Sequence, residues 1–286
     1  MALKKKTDDL GFKDTVNEIE DSELRQLDLD TPNVAEDGCI HDEPMLYGYY
    51  DEETGTLHNT FTYREMDGRD EEAINKTEVK TNGAKLANVL VERCVTEIGE
   101  FKKSEMGTKN WGMLIRKLCG GDLDYMLLKI RELSKGSTVT FTHKCPNCGA
   151  KLITEVECSD FKKTKFSGDS VYIPFDLPRG YKDKNNIIHK KGTIRIADGF
   201  DRESITPLYA KNKAVATTKL FLRTMSLEDG TPVSEECIKR MSLRDRDYLE
   251  KLIEENSFGI GMEFEDLRCS NCNNDLSDVQ AHSDFF

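Results

Sequence analysis

The chain has 286 residues, of which 37% are hydrophobic and 33% are charged. This length suits one large or two ordinary domains, and the hydrophobic content is too high for a wholly disordered chain. No apolar run approaches 18 residues, so we expect no membrane span. The formal net charge of −12 argues against a general nucleic-acid binder, which needs cations to displace counterions from phosphates.

The acidity is concentrated near the N-terminus. Residues 1–44 contain 13 acidic and 5 basic side chains. Aromatic residues are few there and the apolar periodicity is weak, which is typical of a segment without its own core. We therefore interpret residues 1–56 as an acidic N-terminal arm, flexible or ordered by a partner, with one short helix around residues 15–27.

Beyond the arm, alternation and helical periodicity predict the elements. Residues 57–66 alternate and are rich in β-formers, and residues 69–76 and 84–98 have helical spacing, with Gly99 ending the second helix. The remaining predicted elements are a helical stretch at 111–133 broken near Gly120, strands at 137–144 and 151–158, short strands at 170–175 and 187–196, helices at 201–210, 213–226, 234–239 and 243–256, and a strand at 260–268.

The chain contains an internal repeat. Residues 114–148 resemble residues 237–272 at an offset of 123 residues, which becomes 124 at two C-x₂-C pairs. We predict a first repeat at 57–160, a basic connecting segment at 161–193 and a second repeat at 194–286. The matched residues include Asp70 with Asp201, Arg93 with Arg223, Asp124 with Asp247, Tyr125 with Tyr248 and Gly136 with Gly259.

The nine cysteines point to metal binding. Their number is odd and no export signal precedes them, so a disulfide scaffold is not expected. One C-x₂-C pair supplies two thiolates, and two repeats brought together supply the four that structural zinc takes. We predict one structural Zn²⁺ per chain, against the alternatives of a redox dithiol or coincidentally buried thiols. The predicted ligands are Cys145, Cys148, Cys269 and Cys272.

The expected fold class is therefore α+β. Two tandem pseudo-repeats, each made of helices and small antiparallel β-hairpins, would be joined by a bipartite, four-cysteine zinc-ribbon-like site. His143 precedes the first cysteine pair by two residues, and we expect it at the surface rather than among the ligands.

Sequence motifs for catalysis are missing. The chain contains no P-loop, G-x-G-x-x-G, G-x-S-x-G or H-E-x-x-H pattern. The carboxylate pairs Asp122/Asp124 and Asp245/Asp247 recur at helix starts, where we interpret them as caps. Four thiolates leave no open metal position for a reacting water, so we predict a protein without enzymatic activity.

A zinc-ribbon nucleic-acid-binding protein is the alternative. Residues 160–193 are basic, and aromatic side chains are interleaved with the lysine and arginine side chains. The overall acidity makes nucleic acid the less favoured partner. The candidate contacts are Lys162, Lys163, Lys165, Arg179, Lys182, Lys190 and Lys191.

The order of these segments resembles a known family. The chain is similar to the T-even-type contractile-tail phage baseplate (hub/assembly) protein family over about residues 57–286. The segments that carry the similarity are FTYREMDGRDEE, DLDYMLLKIRELSKGSTVTFTHKCPNCG, RDRDYLEKLIEENSFGI, CSNC and the closing DFF. The resemblance implies a place in the virion tail baseplate, assembly in the host cytoplasm, and other baseplate and tail hub proteins as partners. It implies no enzymatic activity, and homo-oligomerisation stays open. We call each C-x₂-C turn a knuckle. The second knuckle has the sequence CSNCNN where the first has CPNCG, and Asn273 can take the left-handed conformation of the missing glycine.

Overall fold

The computed structural model describes residues 37–261, 268–276 and 282–283. The chain divides into two units, Met1–Asn33 and Val34–Phe286, and all described residues belong to the second. The helix predicted around residues 15–27 and the aromatic C-terminus at 284–286 lie outside the described residues, as does most of the strand predicted at 260–268.

The first repeat packs helices on a four-stranded antiparallel sheet. Its elements are β1 (Cys39–Asp51), β2 (Thr56–Arg64), α1 (Gly68–Ile74), α2 (Thr77–Lys80), α3 (Gly83–Cys94), β3 (Val95–Ile98), β4 (Phe101–Lys102), α4 (Lys103–Lys117) and α5 (Gly120–Lys135). The strands pair in the order β1-β2-β3-β4. Phe61 of the sheet, Leu90 of α3, Trp111 of α4 and Met126 of α5 meet in one buried core, which burial of apolar surface stabilises.

A hairpin ends the first repeat. It consists of β5 (Thr138–Lys144) and β6 (Lys151–Glu157), and a short 3₁₀ turn, Cys158–Asp160, leads on to β7 (Lys162–Thr164). Val139 and Phe141 of β5 pack with Phe161 in a small separate core. The turn between β5 and β6 holds the first cysteine pair, as the sequence predicts.

The second repeat has a similar plan. Its elements are β8 (Tyr172–Lys182), β9 (Ile188–Arg195), α6 (Gly199–Tyr209), α7 (Lys213–Thr224), β10 (Met225–Leu227), α8 (Glu235–Lys239), α9 (Leu243–Glu255) and β11 (Gly259–Gly261). β8, β9 and β10 form an antiparallel sheet in the order β10-β9-β8, and β11 pairs with β7. The short strand β12 (His282–Ser283) pairs with β5, so β5 lies between β12 and β6. The prediction of an α+β protein with small antiparallel sheets is confirmed.

A buried carboxylate holds the start of α1 in the first repeat. Asp70 is fully buried and accepts hydrogen bonds from Arg64 Nη1 at 2.7 Å and Arg93 Nε at 2.6 Å. It also forms a capping box with Asp67, in which each side chain accepts from the backbone N–H of the other. Strand β2, helix α1 and helix α3 are therefore joined through one side chain.

The second repeat contains the same network. Asp201 accepts from Arg195 Nη2 and from Arg223 Nε, both at 2.6 Å, and forms a capping box with Asp198. The matched pairs of the sequence repeat thus occupy equivalent positions in space. The duplicated unit predicted from the sequence is present in the fold.

A second carboxylate fixes an irregular part of β1. Asp122, buried in the first turn of α5, accepts hydrogen bonds from the backbone N–H groups of Leu46, Tyr47 and Gly48 at 2.8, 3.1 and 3.0 Å. The register of β1 on β2 shifts at this segment. Gly48 has a φ of 124°, and a Cβ there would lie 2.4 Å from the carbonyl oxygen of His58. Only glycine fits this bulge without strain.

Asp245 has the equivalent role in the second repeat. It accepts from the backbone N–H of Arg179 at 2.7 Å, where the register of β8 on β9 also shifts. The N-cap of α9 is Ser242, and the N-cap of α5 makes no side-chain hydrogen bond. Neither Asp122 nor Asp245 is the N-cap residue, so their interpretation as simple helix caps is wrong. Both side chains bind a neighbouring strand, and Asp245 Oδ2 also accepts from the hydroxyl of the N-cap Ser242 at 2.7 Å.

Polar contacts join the two repeats. Asn88 of α3 donates to the carbonyl oxygen of Gly199 and to Glu203 Oε2, each at 3.0 Å. Glu203 also accepts from Arg116 at 3.2 Å. Across the same junction, Arg202 donates to Asp124 at 2.9 Å. These contacts link α3, α4 and α5 of the first repeat to α6 of the second.

Two boundaries differ from the sequence prediction. β1 lies inside the predicted acidic arm, and its Met45 and Leu46 are buried in the first core. The predicted connecting segment at 161–193 contains β8 and most of β9, which stand in the second repeat where β1 and β2 stand in the first. Each repeat therefore begins earlier than predicted: the first repeat with β1, and the second with β8 and β9. The bulges in β1 and β8 interrupt the alternation that would have marked these strands as part of the repeats.

The helix predicted at 84–98 is shorter in the structure. α3 ends at Cys94, and Val95–Ile98 forms β3, which pairs with β2 and β4. Gly99 has a φ of 51° and makes the turn from β3 to β4 rather than ending a helix. Pairing with two neighbouring strands outweighs the helical pattern here. None of the described helices combines the length and apolarity needed to cross a bilayer.

Candidate metal centre

The first cysteine knuckle is the turn of the β5–β6 hairpin. The backbone N–H of Cys145 donates to the carbonyl oxygen of Ala150 at 2.8 Å, and the N–H of Gly149 donates back to the carbonyl of Cys145 at 2.9 Å. Gly149 has a φ of 73°, in the left-handed region. This tight turn brings the Sγ atoms of Cys145 and Cys148 to one side of the backbone.

The second knuckle repeats this geometry. The N–H of Cys269 donates to the carbonyl oxygen of Asn274, and the N–H of Asn273 donates to the carbonyl of Cys269, both at 2.8 Å. Asn273 has a φ of 59°. The prediction that Asn273 adopts the conformation of the missing glycine is confirmed, and it follows from the tolerance of asparagine for left-handed backbone.

The two knuckles face each other. Their four Sγ atoms all lie within 4.8 Å of one another, with Cys145–Cys272 and Cys148–Cys269 both at 3.6 Å. Tetrahedral zinc with Zn–S bonds of about 2.3 Å places its sulfurs about 3.8 Å apart. The four predicted residues are therefore brought together at a spacing that fits a metal ion.

The surroundings of the cluster are partly apolar. Cys145 and Cys269 are buried, Cys272 is half-buried and Cys148 is exposed. Leu276 and Leu152 pack against the buried sulfurs. A metal ion held there would be shielded on one side, and four thiolate ligands would leave it no open ligand position.

The thiol pKa values differ within the cluster. The backbone N–H of Ala150, then Asn271 and Cys272, lower the pKa of Cys148 to about 6. For Cys145 the N–H of Cys148 lowers the pKa, but burial and the thiols of Cys272 and Cys148 raise it to about 11 overall. The Cys148 thiol thus loses its proton more readily than the Cys145 thiol, and a cation bound between them would favour both thiolates.

Several other cysteines are buried as predicted. Cys94, Cys158 and Cys237 lie in the apolar cores. Burial raises the pKa of Cys94 to about 12, so this thiol is unreactive at neutral pH. His143, expected at the surface, is instead buried in β5, and it is not among the clustered metal donors.

The candidate nucleic-acid contacts are divided between two sheets. Lys162 and Lys163 lie on β7, which pairs with β11, and Lys165 follows that strand. The other four belong to the β8–β9 hairpin, and all seven side chains are exposed. Those four are Arg179, Lys182, Lys190 and Lys191.

The aromatic residues of this segment mostly belong to the core. Phe161, Phe175 and Tyr181 are buried, and Phe166 packs against Tyr47 with ring centroids 5.0 Å apart. Base stacking needs an exposed ring face, and a buried ring cannot supply one. The alternation that suggested a nucleic-acid surface is therefore explained by strands with one buried face.

The sequence prediction does not identify the carboxylates that hold each repeat together. Asp70 and Asp201 are matched in the repeat without a role, and Asp122 is assigned the wrong one. The usable signal is the arginine that lies 6 residues before each matched aspartate, Arg64 before Asp70 and Arg195 before Asp201.

The fold and the site define a class of protein: a duplicated α+β scaffold whose halves jointly form a four-cysteine cluster that could hold a metal ion. The chain belongs to the family described as T4 bacteriophage base plate protein, whose family model matches residues 52–286. No curated protein and no solved structure matches the chain. The family resemblance expected from the sequence is confirmed, and the family suggests a structural component of the phage tail baseplate that contacts other tail proteins.

Proposed function

We propose that this protein is a non-enzymatic structural or assembly component of a contractile-tail baseplate, acting in the hub region, with one structural Zn²⁺ that ties its two repeats together. The observation that carries the proposal is the four-cysteine cluster, to which each knuckle contributes two thiols. The family match supports the baseplate role.

Zinc is the metal that suits this donor set best. Four thiolates in a tetrahedral arrangement are typical of structural zinc or of iron–sulfur centres. The sulfur–sulfur distances of 3.6 Å correspond to a single ion at the centre of the cluster. The ligands would be Cys145, Cys148, Cys269 and Cys272.

The zinc would stabilise the packing of distant parts of the chain. Cys145 and Cys272 are 127 residues apart in the sequence, so an ion bound by both closes a very long loop. Metal ligation needs deprotonated thiols from both knuckles, so the ion displaces protons as the knuckles come together, and metal binding and folding are coupled. A scaffold tied in this way presents fixed surfaces to neighbouring tail proteins.

Quantitative mass spectrometry of purified particles from the phage or prophage that encodes this chain tests the baseplate role. A fixed copy number in proportion to known baseplate rings is expected for a structural part. Presence in tail intermediates but not in finished particles is expected for an assembly factor. Absence from both, with the protein abundant in the cell, would contradict the proposal.

A further inference from the structure

The two repeats present equivalent hairpin ends of opposite charge. In the first hairpin Tyr49 pairs with His58, and in the second Tyr181 pairs with His189. The turn after Tyr49 is acidic, with Asp51, Glu52 and Glu53 in a row. The end of the second hairpin, residues 182–191, contains four lysines and one aspartate. We call residues 182–191 the basic tip.

The acidic turn borders a cleft of about 650 Å³. The walls come from the end of β1, the α4–α5 junction, the segment before β8, and the end of β9 with the turn that follows it. Acidic side chains outnumber the two basic ones in the lining, which are Lys117 and Arg195. Tyr50 is 50% exposed and Tyr172 is 49% exposed, so two large rings are open to solvent there. We call this the acidic cleft, and it is defined by Tyr50, Glu52, Glu53, Asp169 and Tyr172.

The basic tip has a matching composition. Ile187 and Ile188 are adjacent and are 56% and 58% exposed, which leaves an apolar pair without cover. Lys184 and Lys190 flank this pair. An apolar centre with a charged rim is the usual composition of a protein interface, and the rim of the cleft has the opposite sign.

Side-chain hydrogen bonds hold the basic tip in one shape. Asp183 Oδ1 accepts from the backbone N–H groups of Asn185 and Ile187, both at 2.8 Å. His189 Nδ1 lies 2.7 Å from Asp229 Oδ2 and anchors the base of the tip. A turn ordered before binding loses little conformational entropy when it docks.

The tip cannot enter the cleft of its own chain. Tyr172, at the cleft, is the first residue of β8, and the tip begins at Lys182, the last. A strand rises about 3.3 Å per residue, so roughly 30 Å separate the two ends. The cleft that the tip can reach belongs to another molecule.

We propose that the basic tip of one copy inserts into the acidic cleft of a second copy of this chain. Ile187 and Ile188 contact the rings of Tyr50 and Tyr172, while lysines of the tip pair with Glu52 and Glu53. Two surfaces that differ within one chain make a heterologous contact, which closes as a reciprocal pair or as a ring. This contact goes beyond the proposed baseplate role and does not depend on the metal.

Sedimentation velocity of the full chain, up to roughly 100 µM and at two salt concentrations, tests the proposal. Wild type is expected to associate, and more weakly at high salt. The cleft variant Glu52→Lys/Glu53→Lys and the tip variant Lys184→Glu/Lys190→Glu are each expected to weaken self-association at least about tenfold. An equal mixture of the two variants is expected to associate again. The acidic tip of one variant then meets the basic cleft of the other, and the unchanged basic tip meets the unchanged acidic cleft.

The control is Lys211→Glu/Lys213→Glu, which makes the same charge change on exposed lysines at the start of α7 and should associate as wild type does. Wild type that stays monomeric at low salt would overturn the proposal. So would a mixture that fails to associate, or loss of association in the tip variant but not in the cleft variant, which would place the tip on a different acidic surface of the second copy, such as residues 1–36.

Discussion

The Sγ atoms of Cys145 and Cys272 lie 3.6 Å apart, although 127 residues separate them in the chain. The reciprocal pair, Cys148 and Cys269, is also 3.6 Å apart. The first cysteine of each knuckle therefore contacts the second cysteine of the other. This crossed pattern is what a local twofold relationship between the knuckles produces, and it makes the four-cysteine cluster the product of both repeats.

Removal of one thiol should release the metal. In Cys272→Ser we expect bound zinc to fall from about one ion per chain to near zero and Tm to fall by roughly 10 °C or more, because three thiolates bind weakly and lose the coupled folding energy. Cys39→Ser is the matched control, since Cys39 lies outside the cluster. Metal analysis with thermal denaturation measures both effects. A Cys272→Ser protein as stable as the control would contradict the structural role.

The left-handed residue of the second knuckle should affect metal affinity. Asn273→Val places a β-branched side chain at a φ of 59° and is expected to weaken zinc binding about tenfold or more. Asn273→Gly is expected to bind at least as well as wild type, since glycine adopts this conformation freely. Competition with a chromophoric chelator measures the affinities. Equal affinities for the two variants would show that the turn does not need this conformation.

The four-cysteine cluster and the repeat could be predicted because they depend on residue identity at fixed spacing. Cys145 and Cys148 recur as Cys269 and Cys272, and a C-x₂-C turn has few other uses. The predicted helix positions were also largely correct, because apolar residues recur at helical spacing in helices such as α5 and α9.

The parts of the sequence prediction that differ from the structure depend on tertiary contacts. β1 was missed because its bulge, held by Asp122, breaks the alternation and because an acidic arm precedes it. The matching residues Gly48 and Gly180 could have revealed the hairpin, since each precedes a tyrosine at an offset of 132 residues. The partner of a buried carboxylate cannot be read from local sequence, because it comes from a distant strand.

Asp122 should contribute strongly to stability. Asp122→Ala leaves the buried N–H groups of Leu46, Tyr47 and Gly48 without an acceptor and is expected to lower the free energy of unfolding by roughly 3 kcal/mol. Asp124→Ala, which removes only a half-exposed ion pair with Arg202, should cost less than about 1 kcal/mol. Urea denaturation measures both. Similar costs for the two variants would mean that the bulge holds its shape without the carboxylate.

Asp70 should make stability depend on pH in the acid range. Burial alone would raise its pKa, but hydrogen bonds from Arg64, from the backbone N–H of Asp67 and from Arg93 hold it well below the ordinary 3.8. The folded pKa is thus below the unfolded one, so the contribution is complete above about pH 4 and is lost as the pH falls further.

Asp70→Asn is expected to cost roughly 3 kcal/mol at neutral pH, since two arginines lose their buried carboxylate. The difference from wild type should shrink as the pH falls below about 4. Asp176→Asn, an exposed position on β8, is the control and should show no such trend. Unfolding free energies measured at a series of pH values decide this, and a constant difference between Asp70→Asn and wild type would contradict the linkage.

Native mass spectrometry of the full-length protein tests most directly the central claim that one metal ion ties the two repeats. The account predicts a mass that exceeds the apo chain by one zinc ion, with the excess lost on chelation together with native compactness. A compact, folded chain that carries no metal, or one that keeps its fold unchanged after the ion is removed, would contradict it.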